Sequence, residues 1–138
     1  MLVVPISSEF DFASKARNLL FVFLGAALFL FKRHYSGPLD EIVHAYVGNL
    51  SVSFAVYFLF ANLELPQRFK GVLPAVAALA VVELFEAFDG FGIMANTYDP
   101  IDFLANAVGI AMALLIDTKL SQRRARNMKA QAPSPNQN

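Results

Sequence analysis

Charged residues are spaced so that the chain falls into four long apolar stretches. Apart from His, nothing charged lies between Arg17 and Lys32, between Glu41 and Glu64, between Lys70 and Glu83, or between Asp102 and Asp117. A helix facing water turns a polar residue to solvent about once per turn, and each of these gaps is about three turns or longer. The stretches 18–31, 42–63, 72–88 and 101–116 therefore read as helices buried on nearly every side. Only the second exceeds the ~20 residues that an α-helix needs to cross ~30 Å of hydrocarbon. The first gains length if Lys15, Arg17, Lys32 and Arg33 snorkel at its ends, and the last two do so if Glu83, Glu86 and Asp102 lie near one interface.

Breakers mark the connections. Ser36-Gly37-Pro38 precedes the second helix, whose first turn holds Asp40 and Glu41, where acids suit the helix dipole. Pro66 closes that helix, Gly71 and Pro74 open the third, and Gly90, Gly92 and Asn96 interrupt the chain before Pro100, which is tolerated in a first turn. The pattern predicts an all-α protein, an integral membrane bundle of four transmembrane helices over about 18–34, 40–63, 71–88 and 100–118. A segment of residues 1–17 precedes this 18–120 domain. A tail of residues 121–138 follows it, basic at first and disordered over its last ten residues. The first apolar stretch ends in Lys32-Arg33-His34 instead of a small-residue cleavage site, so it reads as a retained helix rather than a signal peptide.

Composition narrows the class. The 138 residues are 57% hydrophobic and 16% charged, whereas soluble domains carry about 25% charged residues. Fourteen Phe exclude a largely disordered chain. The absence of Cys removes disulfides, iron–sulfur clusters, thiolate zinc sites and a cysteine nucleophile. A nucleic-acid partner is not expected, because bulk charge is balanced and no folded basic patch is indicated.

Resolved by position, that balance is a cancellation. With four spans both termini share one side, and that side holds nine Lys and Arg with four acids, against two Lys and Arg with seven acids opposite. The net charge of zero therefore divides into +5 and −5. The basic excess predicts both termini in the cytoplasm. The C-terminal basic residues read as a topology and anionic-lipid signal.

Helical spacing gathers the polar groups of the opposite end. Asp99, Asp102, Asn106, Gly109 and Ala113 share an arc of about 80° on the fourth helix, while His44, Gly48, Ser51, Ala55 and Asn62 share about 60° on the second. Glu83, Glu86 and Asp89 spread over ~120° near the end of the third. Ionisable groups at membrane depth are costly, by ~2.5–3.5 kcal/mol each at the centre on insertion scales, and so tend to be buried together for a purpose. Asp40, Glu41 and Asp89 read as interfacial helix caps. The others form a candidate outward-facing pocket of His44, Glu83, Glu86, Asp99, Asp102 and Asn106.

This set suits a small polar or cationic ligand, a lipid head group, or a divalent ion such as Mg²⁺, Mn²⁺ or Zn²⁺, although no cofactor is specified. No nucleophilic Ser-His pair, phosphate loop, haem or quinone signature is present. The carboxylate motif of membrane enzymes that transfer lipid alcohol phosphates is not met either, for the expected Ala-Arg after Gly90 is missing. Expected partners are the lipid bilayer, envelope lipids and other membrane protein subunits.

Asp40-Glu41-Ile42-Val43-His44-Ala45-Tyr46 is similar to the Asp-Lys-x-x-His-Phe/Ala segment that opens the second helix of the VanZ-like family of small four-helix membrane proteins. Glu83-x-x-Glu86 followed by Asp99-x-x-Asp102-x-x-x-Asn106-x-x-Gly109 is similar to its Glu-x-x-Gln and Asp-x-x-Asp-x-x-x-Asn-x-x-Gly. Glu86 stands where the family has Gln, and the family's Arg before the first Asp is absent. The resemblance implies a cell-envelope protein in the plasma (inner) membrane of a prokaryote, associated in some members with teicoplanin resistance, without an established catalytic mechanism. It carries His44, Glu83, Asp99, Asp102, Asn106 and Glu86 over as site residues. Alternative roles are an accessory structural subunit of a larger membrane complex and a metal-dependent envelope-lipid enzyme.

Overall fold

The computed structural model describes residues 6–88 and 99–131 and is all-helical there. Helix α1 runs Ile6–Phe31, α2 Asp40–Ala61, α3 Val72–Ala87 and α4 Pro100–Gln131. Single 3₁₀ turns at Lys32–His34 and Gln67–Phe69 join the first three. Residues 1–5, the connection 89–98 that carries Asp89, Gly90, Gly92 and Asn96, and the end of the expected tail, 132–138, lie outside the described residues.

Three helical segments are long and apolar enough to cross a membrane: Phe12–His34, Asp40–Ala61 and Pro100–Gln131. With 16 residues, α3 rises only about 24 Å, less than the ~30 Å hydrocarbon thickness. Two boundaries differ from the sequence reading. Helix α1 begins at Ile6 rather than near residue 18, and α4 continues past residue 118 through Arg123, Arg124, Arg126 and Lys129 to Gln131. Charge-free gaps mark what lipid can cover, not how far a helix extends. Ala, Gln, Lys and Arg all favour the helix, so nothing in 119–131 stops it.

Helix α2 is the hub, packed against α1, α3 and α4. It runs alongside α4 in the same direction, so that Tyr46 meets Asp99, Ser53 meets Asn106, and Tyr57 meets Asp117. Small residues allow this approach. A Cβ on Gly109 would lie 2.5 Å from the Leu50 carbonyl oxygen and 2.9 Å from Ser53 Oγ. The antiparallel contact with α1 is equally close, since a Cβ on Gly25 would lie 2.7 Å from the Ser51 carbonyl oxygen. Gly109 of the α4 stripe thus lets that backbone approach α2, and Gly25 of α1 does the same against Ser51 and Ala55 of the α2 stripe, as small residues do inside membranes.

Phe54, Tyr57, Phe58, Ala78, Val82, Ile110 and Ala113 form the buried core, with Phe21 against it. Phe21 stacks on Phe58 at 4.6 Å between ring centroids and meets Phe54 edge-on at 5.9 Å, geometries worth about 0.5–1.5 kcal/mol each beyond burial. The outer surface remains apolar: Leu20, Phe23, Leu30, Leu59, Val76, Leu104 and Leu115 are all more than half exposed. Water would not tolerate such a surface on this scale, whereas lipid covers it.

Candidate functional site

The buried stripe of α3 is Pro74, Ala78, Val82 and Glu86, spaced four apart, and that of α4 is Asp102, Ala105, Asn106, Gly109, Ile110 and Ala113. Each stripe faces the bundle interior and each carries an acid at the same end. Glu86 is 6% exposed, Asp102 7% and Asn106 3%. Asn106 Oδ1 lies 3.1 Å from the Ser53 hydroxyl, which also reaches the Asn49 carbonyl. Asp99 accepts the backbone N–H of Ile101 at 2.9 Å, fixing the first turn of α4, and Tyr46 of α2 reaches its side chain. Glu83, one turn before Glu86, holds a buried Oε2 with no hydrogen-bond partner.

His44 stands apart. Its Nδ1 lies 2.9 Å from both the backbone oxygen and Oδ1 of Asp40, a bond within α2, and the ring is exposed. Lys32 donates to the His44 carbonyl at 3.3 Å, packs over Phe29, and occupies the space a side chain at Gly48 would fill. Gly48 therefore makes room for a cation instead of for another helix. The structure brings Tyr46, Asp99 and Asp102 together, pairs Ser53 with Asn106, and sets Glu83 beside Glu86. It gives His44 a separate partner in Asp40. Among the described residues no three of His, Asp and Glu gather closely enough to hold a metal ion.

The opposite end holds a polar cluster that sequence reasoning did not assemble. Arg17 Nη2 of α1 donates to Asp117 Oδ1 of α4 at 2.5 Å, with both side chains only about one-sixth exposed. The Tyr57 hydroxyl of α2, fully buried, donates to Asp117 Oδ2 at 3.0 Å. Arg17 also donates to Asn18 Oδ1 from Nε and Nη2, and Asn18 Nδ2 reaches the Ala61 carbonyl at 3.3 Å. Nearby, Lys15 pairs with Glu64 at 2.8 Å, and Arg124 donates to Ser14 Oγ at 2.8 Å. A cleft of about 990 Å³ opens beside these groups. The available signal was the matched position of Arg17 and Asp117, each at the boundary of an apolar stretch and both on the side of the termini.

The two ends divide the chemistry. One buries carboxylates with an unfilled acceptor, which suits a donor or cation. The other satisfies its buried charges internally and surrounds them with additional cations. Comparison with known proteins gives no matching family model, no matching curated protein and no matching solved structure.

Proposed function

We propose that the chain is a VanZ-like protein of the prokaryotic plasma membrane that binds a small cationic group, such as the amine of an envelope lipid, at its acidic end. The observation that carries this reading is Glu83 Oε2, buried without a donor, one turn from the buried Glu86. An acceptor withdrawn from water without a partner costs about 1–3 kcal/mol, more when charged, and an ammonium supplies both the missing N–H and the missing positive charge. Asp102 and Asn106, on the facing stripe of α4, add acceptors at the same end. The two sequence segments similar to the VanZ-like family contain these residues. In this reading α3 is a fourth span, short enough to need its flanks or a locally thinned bilayer, and both termini face the cytoplasm.

The test titrates the purified full chain with ethanolamine and phosphoethanolamine while its melting temperature is followed. The amines raise it in the native protein, and Glu83→Gln with Asp102→Asn abolishes the rise while Asp40→Asn retains it. An equal response in all three proteins overturns the assignment.

A second reading, an accessory subunit of a larger membrane complex, draws on α1. Only 11% of its most apolar window is buried, so it has a broad face available for another protein. Native mass measurement after mild-detergent extraction decides it, since a lone chain or homodimer removes this reading.

A further inference from the structure

We infer that Lys32, held across α2 at the end of the bundle away from the termini, binds the phosphate of a phospholipid whose acyl chain lies in the groove between α1 and α2. The site does not rest on the acidic stripes, because it occupies the side of α2 that faces α1, whereas Tyr46 and Ser53 face α4.

The position of the lysine supplies the first argument. A lysine that closes an apolar stretch can extend its ammonium straight out to water. Lys32 takes another course. It lies across α2, where Nζ donates to the His44 carbonyl at 3.3 Å and stands 5.2 Å from the centre of the Phe29 ring. A Cβ on Gly48 would collide with that nitrogen, so the glycine is what admits it. These partners fix the ammonium without neutralising it, since the carbonyl takes one N–H donor and the ring only attracts the charge. Among the described residues no carboxylate pairs with Lys32, and Asp40, one turn before His44, is taken up by the His44 ring. A held cation at the hydrocarbon boundary with donors to spare fits the anion that is densest there, a lipid phosphate.

The groove gives this charge an apolar neighbour. Val22, Gly25, Ala26 and Phe29 of α1 and Val52 and Ala55 of α2 line a wholly apolar furrow of about 370 Å³. Lys32 follows Phe29 by three residues and Gly48 precedes Val52 by four, so both stand one turn beyond the groove on the faces that line it. Depth agrees with one leaflet. From Lys32 back to Val22 the helix covers about 15 Å, half of the ~30 Å hydrocarbon layer. Phosphate chemistry at the boundary and chain chemistry down to the midplane therefore lie in line along one helix pair. A free phosphate would use only the lysine, and a lipid without phosphate only the groove.

The experiment is native mass spectrometry of the full chain in neutral detergent, with phosphatidylglycerol or diacylglycerol of equal chain length added at equal concentration. The phospholipid is retained and the diacylglycerol, which lacks the phosphate, is not. Lys32→Gln weakens retention about fivefold or more. Gly48→Ala also weakens it, by displacing the ammonium while leaving every charge in the chain. Arg33→Gln, at the neighbouring exposed cation, leaves retention unchanged. Ala26→Leu, which fills the groove, reduces retention, and millimolar inorganic phosphate does not displace the lipid. Equal retention of both lipids, or undiminished retention in Lys32→Gln and Gly48→Ala, overturns the site. An equal loss in Arg33→Gln assigns the effect to the general field of the basic turn and overturns the role of Lys32. Displacement by phosphate assigns the lysine to the free ion and overturns the lipid, and an indifferent Ala26→Leu overturns the groove.

Discussion

Arg17 and Asp117 form a pair whose value lies in being complete. Both side chains are largely withdrawn from solvent, Tyr57 donates to the second carboxylate oxygen of Asp117, and Arg17 donates to Asn18 as well. Removing one member of such a pair leaves an uncompensated buried charge, at a cost of about 3–5 kcal/mol. Asp117→Asn and Arg17→Gln should each destabilise the bundle by about 3 kcal/mol, and the double variant should lose clearly less than the two together. Tyr57→Phe, which removes one bond to a charged acceptor, should cost about 1.5–3 kcal/mol. Unfolding in graded denaturing detergent measures all four, and simple additivity of the charge variants would show that the pair is not coupled. Legibility differed among residues for a physical reason. Glu83, Asp102 and Asn106 stand out in the sequence because they interrupt or adjoin apolar stretches, and a polar group there must be accounted for. Arg17 and Asp117 sit at stretch boundaries, where a charged side chain can also snorkel into water, so spacing alone gave no reason to pair them.

Among the elements, the parallel contact of α2 with α4 is the one most exposed to mutation. Gly109→Val would drive a side chain into the Leu50 carbonyl and Ser53, both held by the helix backbone. The expected loss is about 1–3 kcal/mol, with the Ser53–Asn106 contact broken. Gly48→Ala should cost less, since it displaces only the flexible end of Lys32. Thermal unfolding of the two variants side by side distinguishes them, and a Gly48 variant as damaged as the Gly109 variant would refute the contrast. The α4 stripe of Asp102, Asn106, Gly109 and Ala113 was legible in the sequence, because a helical period of 3.6 is a geometric constant, but the period did not say that Ser51 and Ala55 of the α2 stripe face α1. It did not reveal that Gly48 serves a lysine. It also did not reveal that α1 and α4 extend beyond their apolar cores, because hydropathy records the lipid boundary, whereas helix length follows from backbone propensity and end signals.

For the whole molecule, the asymmetry of charge makes a topological prediction. Reporter fusions after residue 138 and within the Ser36–Pro38 turn should report opposite sides of the membrane, with the C-terminal fusion cytoplasmic. Three helices, α2, α3 and α4, lie between these points, so opposite sides require all three to cross, and both fusions on one side would mean that one of them, the short α3 first, does not. The described helices support three crossings by length and composition, and the short α3 makes a fusion between α3 and α4 the most informative of the set. The pairing of the first helix with the last also bears on synthesis. Arg17 and Asp117 are 100 residues apart in the chain. At a translation rate of ~5–20 residues per second, the guanidinium waits about 5–20 s for its counter-charge. A nascent chain interrupted before α4 keeps that unanswered charge at the membrane boundary. Once α4 is in place Asp117 accepts from Arg17, so the last helix supplies the charge that the first one lacks.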